Sequence, residues 1–496
     1  MNDFPKNFLW GISMAAFQYE MGASEKALDV NSDWYLWLHD EKNIKSKVVS
    51  GDLPEGGPGY WDLYKGDHEW AKWLGLNSWR INPDWSRIFP KSTKDLKVSV
   101  ASDDEGIRDV EVNESSLRRL DELANKYAVR HYGELFKDIK AKSLKLIINL
   151  YHWPLPTWIH DPIRVRDTNL KEGPGGWFDD EAVIEFAKFA AYMAWKFRDV
   201  ADMWSTMNEP NVVWTAGYMG GTFPPGLKDT KAAGQAAFNI IQAHARAYDQ
   251  IKRVAGKRAK VGVIYATTPS EPLTDSSEDE QAAKISDDVS TKWFFRAVLE
   301  GKVRKEFTGE EIKRDDMKDK ADWIGVNYYS RNVVKHIDQP PLFEMQKNYG
   351  FSCQPASKSA SRRPTSDFGW EVYPEGMRKA LNLYKEYEKP LIITENGIAD
   401  SKDKYRAWYI VSHLHNTWLA VREDGLNIIG YLHWSLIDNL EWAAGFSKRF
   451  GLIYVDMETK KRFPRPSAYV YRDIAKSNTL PEYLSEYSKY PNILAD

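Results

Sequence analysis

The stretch Met203-Trp204-Ser205-Thr206-Met207-Asn208-Glu209-Pro210-Asn211 decides the reading of this 496-residue chain. It starts as an apolar, β-prone run and stops on a carboxylate flanked by amide side chains. A strand buried on both faces rarely carries an unpaired charge, which places Glu209 at the strand's end. A second stretch repeats the arrangement: Ile392-Ile393-Thr394-Glu395-Asn396-Gly397. Working outward, six more runs of β-branched and aromatic residues end in polar, Gly or Pro residues. The full set is Phe8–Ala16, Ser78–Trp85, Lys145–Trp153, Met203–Pro210, Lys260–Pro269, Asp322–Ser330, Pro390–Gly397 and Ile428–Leu436. Between them lie helical patterns, among them Leu117–Lys142, Glu181–Phe197, Ala232–Lys252 and Tyr405–Glu423. Strands alternating with helices imply parallel βαβ units. Eight of them predict an α/β fold, a single (β/α)8 TIM barrel with long βα loops.

A doubly wound sheet is the alternative, but it calls for a Gly-rich turn after its first strand. The chain contains no G-x-G-x-x-G, no P-loop, no G-x-S-x-G and no H-E-x-x-H. No 20–50-residue repeat is visible, which excludes solenoids and propellers. The length beyond a barrel of roughly 250 residues sits in the connections 40–60, 91–114, 161–177 and 336–368. No Pro- or Ser-rich linker divides the chain, so residues 1–496 are expected to form one catalytic domain.

In a barrel the fourth and seventh strands lie across from one another, so Glu209 and Glu395 would face each other over the mouth. Two carboxyl groups flanking one bond are what glycoside hydrolysis needs, with about 5–5.5 Å between them for retention and about 6.5–9.5 Å for inversion. One such Glu alone would be read as a barrel-end residue paired to an Arg. Two, each beside an Asn, favour chemistry.

These segments also resemble the two signature segments of the family 1 retaining β-glycosidases. Phe8-Leu9-Trp10-Gly11 with Gln18-Tyr19-Glu20, Trp85-Ser86-Arg87-Ile88-Phe89-Pro90, His152-Trp153, Asn327-Tyr328-Tyr329 and Trp434 through Trp442 are similar to the family's other motifs, in its order. Residues 51–60 and 111–131 look like its archaeal β-glucosidase/β-galactosidase branch. The resemblance implies hydrolysis of terminal β-D-glucosides, β-D-galactosides and fucosides through a covalent glycosyl-enzyme, with transglycosylation as a variant. It makes Glu395 the nucleophile and Glu209 the acid/base. Arg80 would lower the Glu395 pKa and Tyr329 would donate to the same carboxylate, whereas Glu209 lacks an obvious cationic neighbour in sequence. Asn208 would bond the sugar 2-hydroxyl, and Asn327 would support the pair. Sugar binding falls on Gln18, His152, Trp153, Trp434, Glu441 and Trp442, and Trp370 would wall the leaving-group side. Pro154 stands where many members have Asp, a change the archaeal branch tolerates. No cofactor or metal is implied, and a homo-oligomer, a tetramer in the archaeal branch, is.

Composition fits. Lys plus Arg number 68 against 71 Asp plus Glu, and mean hydropathy is −0.57. Such balance gives no basic excess for nucleic acid, and no apolar run reaches the length of a membrane span. The one cysteine, Cys353, excludes a disulfide framework and an intrachain Cys-based zinc site. Asp3 beside Lys6, with Gly11 and Ser13 interrupting the Phe8–Phe17 run, argues against a signal peptide, so the protein is expected in the cytoplasm. There are 21 Trp against 20 Phe. The clusters Trp34/Trp37, Trp70/Trp73, Trp434 and Trp442 sit beside polar groups, as platforms for sugar rings would. Two rival readings remain. A metal-dependent hydrolase would draw on His152, His433 and Asp438 with the glutamates, but paired metal-ligand spacing is missing. A sugar-binding protein without turnover would have lost one of the glutamates, and both are present.

Overall fold

The computed structural model describes residues 2–305, 307 and 309–481. Eight parallel strands close into a barrel: β1 (Leu9–Ser13), β2 (Ser78–Ile81), β3 (Lys145–Tyr151), β4 (Met203–Asn208), β5 (Val261–Ala266), β6 (Trp323–Asn327), β7 (Leu391–Glu395) and β8 (Ile428–His433). Each pairs with its neighbour in sequence, and β8 closes on β1 through Gly430↔Leu9 and His433↔Ile12. The helices that follow them are α1 (Tyr60–Trp73), α2 (Lys126–Ala141), α3 (Glu181–Phe197), α4 (Thr230–Val254), α5 (Ser277–Asp287), α6 (Glu375–Asn382), α7 (Arg406–Arg422) and α8 (Pro466–Ser477). Nearly every strand residue is buried, because helices cover the outer face and side chains fill the interior. That double burial is why the strands read as near-continuous apolar runs.

Each predicted run contains a barrel strand and overshoots its C-terminal end. Ser78–Trp85 stops at Ile81: Pro83 has no N–H for the ladder, and the Asn82 side chain accepts from the Ala16 N–H at 2.9 Å. One helix expectation is corrected. Leu117–Lys142 is two helices, Glu114–Leu123 and α2, parted at Asn125, whose Oδ1 accepts from the N–H groups of Tyr127 and Ala128. The apolar period runs through the break, but the N-cap ends one helix and starts the next.

The barrel interior is layered. Leu9, Ile147, Met203, Ile264, Trp323, Ile392 and Leu432 form an apolar plug. Above it the interior turns polar: Ser205 donates to Asn149 Oδ1 at 2.8 Å, and Ser13 Oγ donates to the Thr394 carbonyl. The long connections build over the C-terminal mouth or the flank. Residues 99–103 and 106–111 form an antiparallel ribbon, and Asn332–His336 pairs with Phe343–Met345 in the roof. Past β7, a Cβ at Gly397 would collide with the Trp434 carbonyl. Only glycine lets the ends of β7 and β8 approach this closely.

Candidate active site

Arg80, on β2 and fully buried, anchors the site. Its Nη1 donates to Glu395 Oε1 at 2.5 Å, and its Nη2 donates to Asn208 Oδ1 at 2.7 Å and lies 3.3 Å from His152 Nδ1. Tyr329 donates to the second Glu395 oxygen at 2.8 Å. Glu209 is held through Asn327, whose Nδ2 donates to Glu209 Oε1 at 2.8 Å and to Asn208 Oδ1 at 3.0 Å. Asn327 Oδ1 in turn accepts from Thr394 Oγ1 at 2.7 Å. Two register shifts lie next to the carboxylates. One falls between Ser205 and Asn208 in the β4–β5 pairing, the other at Val326/Asn327 in β6–β7, which sets Asn327 opposite Glu395. Such irregularities re-aim side chains at a barrel's rim.

Charge separates the two glutamates. Burial, then the neighbouring Glu395 charge, pushes Glu209 up to about 8, against the pull of the Asn327 amide and Arg80. Burial also raises Glu395, opposed by the touching Arg80 guanidinium and the Tyr329 and Asn327 hydrogen bonds. Arg80 does lower the Glu395 pKa, but desolvation outweighs the guanidinium and leaves the carboxyl above its ordinary value. Arg80 also pulls on Glu209, but less than burial pushes, so Glu209 holds its proton the more easily. Direct contact with Arg80 still makes Glu395 the one to ionise first.

The blind end of the cavity is polar. Gln18 Nε2 donates to the Leu440 carbonyl (2.8 Å), Asn439 Oδ1 (3.0 Å) and Glu441 Oε2 (3.4 Å), while Gln18 Oε1 is buried with no partner. An orphaned acceptor beside a carboxyl suits a hydroxylated guest. Burial and the two other glutamates push Glu441 up to about 8. His152 is held neutral by burial and by Arg80, and accepts from Asn208 Nδ2 at 3.0 Å. Trp442 lies 4.7 Å from Trp153 and 5.9 Å from His152, and Trp434 lies 6.0 Å from His152. Trp153, Glu209 and Trp442 have φ of 85°, 46° and 48°. Non-glycine residues so placed cost about 1–3 kcal/mol each and cluster at functional sites.

A cavity of about 430 Å³ is lined by His152, Trp153, Glu209, Tyr329, Trp370, Glu395, Trp434, Glu441 and Trp442. Arg80, Asn208, Asn327 and Gln18 back it, so every site residue named from the sequence comes together. Sequence reasoning missed the outer wall: Phe223, Phe351, Phe368 and Phe450, with Asn211, Thr215 and Thr268. Phe351 lies inside the 336–368 connection, and long connections were the one available signal. The tryptophan clusters need correction. Trp34 packs behind Trp442 at 4.6 Å, Trp37 is fully buried, and Trp73 meets Tyr469 of α8 at 5.0 Å on the barrel's flank. Asp438 is occupied by Arg449 and Arg465. Among the described residues no group of three or more His, Cys, Asp or Glu is placed to hold a metal.

A (β/α)8 barrel with two carboxyl groups in unequal environments at its C-terminal mouth, walled by indoles, defines an O-glycosyl hydrolase. The sequence description of Glycosyl hydrolase family 1 matches residues 1–100 and 121–480, and the chain belongs to that family. It is 47% identical over 496 residues to a beta-galactosidase of Saccharolobus solfataricus, covering 99% of both chains. The structure matches the beta-glycosidase of the hyperthermophile Thermosphaera aggregans with a TM-score of 0.93 and 47% identity, over 98% of this chain and all of that one. It also matches a beta-glucosidase mutant derived from a hyperthermophilic tetrameric structure, with a TM-score of 0.91 and 46% identity over the whole of both chains.

Proposed function

We propose that the chain is a retaining, exo-acting β-glycosidase of one catalytic domain, cleaving terminal β-D-glucosides and β-D-galactosides, with fucosides as a further substrate. Ionised Glu395 attacks the anomeric carbon while protonated Glu209 gives its proton to the departing oxygen. The glycosyl–oxygen bond breaks as the Glu395 ester forms. Glu209, now a carboxylate, takes a proton from the water that attacks the ester and frees Glu395. A sugar hydroxyl replacing that water gives transglycosylation. The observation that carries this reading is the Arg80–Glu395 contact beside a Glu209 raised to about 8, because the two roles require opposite protonation. Gln18 Oε1 and Glu441 would take the sugar's hydroxyls, with Trp434 beneath the ring. Glucose and galactose differ at one hydroxyl, and this pair serves either arrangement.

The test is nitrophenol release from aryl β-glucoside and β-galactoside, with the anomer of the first-formed sugar followed by NMR, in wild type and Glu395→Gln. Turnover of both with retention, lost by orders of magnitude in the variant, is expected. An inverted product or a fully active variant defeats the assignment.

No helix among the described residues is long and apolar enough to cross a membrane. We place the enzyme in the cytoplasm and, from the relative whose parent structure is described as tetrameric, assign it a homo-tetramer, measurable by light scattering.

A further inference from the structure

The mouth of the cavity is aromatic where its blind end is polar. Trp370 stacks on Phe368 at 4.5 Å and 10°, and meets Phe351 edge-on at 5.2 Å. Phe351 is 41% exposed, so this end opens to solvent. A glycoside that enters sugar first, toward Gln18 and Glu441, must leave its other half against these rings.

No strand or helix holds the rings in place. Residue 351 belongs to a single turn (Gly350–Ser352) and Trp370 to irregular chain. What joins them is Glu371, which is fully buried. Its Oε2 accepts from Arg331 Nε (2.9 Å) and the Gly350 N–H (3.1 Å), and its Oε1 accepts from Arg331 Nη2 (3.0 Å) and Ser359 Oγ (2.6 Å). Its own N–H donates to the Gly350 carbonyl at 2.8 Å, and its carbonyl accepts from Ser330 Oγ at 2.8 Å. One carboxylate therefore ties the residue beside Trp370, the residue beside Phe351, the roof loop at Ser359 and the chain just past Tyr329. Burial disfavours its charge, yet Arg331 and these donors leave the carboxyl below its ordinary range, which favours the anion. Arg331 is in turn stacked on Tyr373 at 3.9 Å.

We propose that Glu371 is a positioning residue that fixes the leaving-group wall and thereby determines selectivity for the group attached to the sugar. It touches neither glutamate of the pair, so its effect belongs to substrates whose leaving group reaches the wall. Replacing the carboxylate by an amide turns one acceptor oxygen into a donor facing Arg331 and loosens both aromatic residues together.

This rests on the glycosidase reading above, and the test separates the two. Compare kcat/KM of wild type and Glu371→Gln on β-glucosyl fluoride, whose leaving group is too small to reach the rings, and on cellobiose and an aryl β-glucoside. The expected result is a loss of about tenfold or more on the two large substrates, mainly in KM, with the fluoride within about twofold. Ser359→Ala, which removes one hydrogen bond, should move the same ratio less and keeps the test open if Glu371→Gln folds poorly. Equal losses on all substrates, or an unchanged ratio in both variants, would overturn the proposal by reducing Glu371 to a general structural role. A wild type inert on every substrate would instead overturn the glycosidase reading, and this proposal with it.

Discussion

The same eight strands carry two interiors that behave oppositely. The lower layer, from Leu9 through Ile147 and Ile392 to Leu432, is apolar and buried. The upper layer holds Arg80, Asn208, Glu209, Asn327 and Glu395 in a buried network around an open cavity. The lower layer stabilises the fold by removing hydrocarbon from water. The upper layer takes on the cost of burying charge and of left-handed backbone at Trp153, Glu209 and Trp442. A few residues of rise along a strand separate the part that holds the barrel from the part proposed to react. Substitutions in the two layers should therefore fail in different currencies, one in rate and the other in stability.

The sharpest break lies at Glu395. Glu395→Gln should lower turnover by about 10⁴-fold or more, on the scale seen when a catalytic nucleophile is lost, with melting temperature no lower than wild type. A 2-fluoro glycoside that traps the covalent ester should label the wild-type peptide containing Glu395 and leave the variant unlabelled, as read by mass spectrometry. A label on another residue would detach the nucleophile from the Arg80 network.

Next comes Glu209. Glu209→Gln should cost about 10²–10⁴-fold on alkyl glycosides, the usual range for general acid catalysis. The loss should shrink on a dinitrophenyl glycoside, which leaves without a proton. In wild type, kcat/KM on alkyl glycosides should fall as pH rises through about 8, where the acid gives up its proton. An activity that ignores leaving-group pKa would remove Glu209 from the acid role.

The lower layer is probed by Ile147→Ala. Ile147 is fully buried in the apolar plug, so its truncation should cost about 2–5 kcal/mol of stability. Rate per folded molecule should stay within about twofold. Denaturant melts paired with active-site titration check both numbers. A rate loss larger than the stability loss would mean that the layers are mechanically coupled.

The two layers were also unequally legible in the sequence. Strands buried on both faces announce themselves as apolar runs, which is why each of the eight was found, and a carboxylate at the end of such a run is conspicuous for the same reason. Strand ends were less clear, because loops such as 82–85 keep apolar residues after the ladder stops. Asn125 shows the same weakness in helices, where one cap interrupts a period that otherwise continues. Arg80 was found as the partner of Glu395, but sequence suggests only the partner, whereas the balance between that partner and desolvation depends on burial. The Phe351 and Phe368 wall was missed because residues in irregular chain have no period, and only the fold brings Gly350, Ser359 and Glu371 together. Tryptophan count pointed to sugars, but it could not tell Trp442 in the cavity from Trp73 on the flank.

The smallest effect tests whether the upper layer is held at the expense of stability. Glu209 titrates at about 8 in the folded protein and near 4.3 when unfolded. The folded state thus binds the proton more tightly. Its contribution to stability is fully present below about pH 4.3 and is lost as pH rises through about 8. Gln cannot ionise and has no such loss, so Glu209→Gln should gain on wild type as pH increases. Glu441 is raised to about 8 as well, in part by the Glu209 charge, so the variant relieves it too and shifts the difference in the same direction. Melting temperatures at pH 5 and pH 9 should therefore show a gap, variant minus wild type, that widens toward alkaline pH. A gap that stays constant would mean that Glu209 ionises in the folded enzyme as easily as in water. The cavity would then be wetter than its lining implies, and a proton held for the leaving group would need another source than burial.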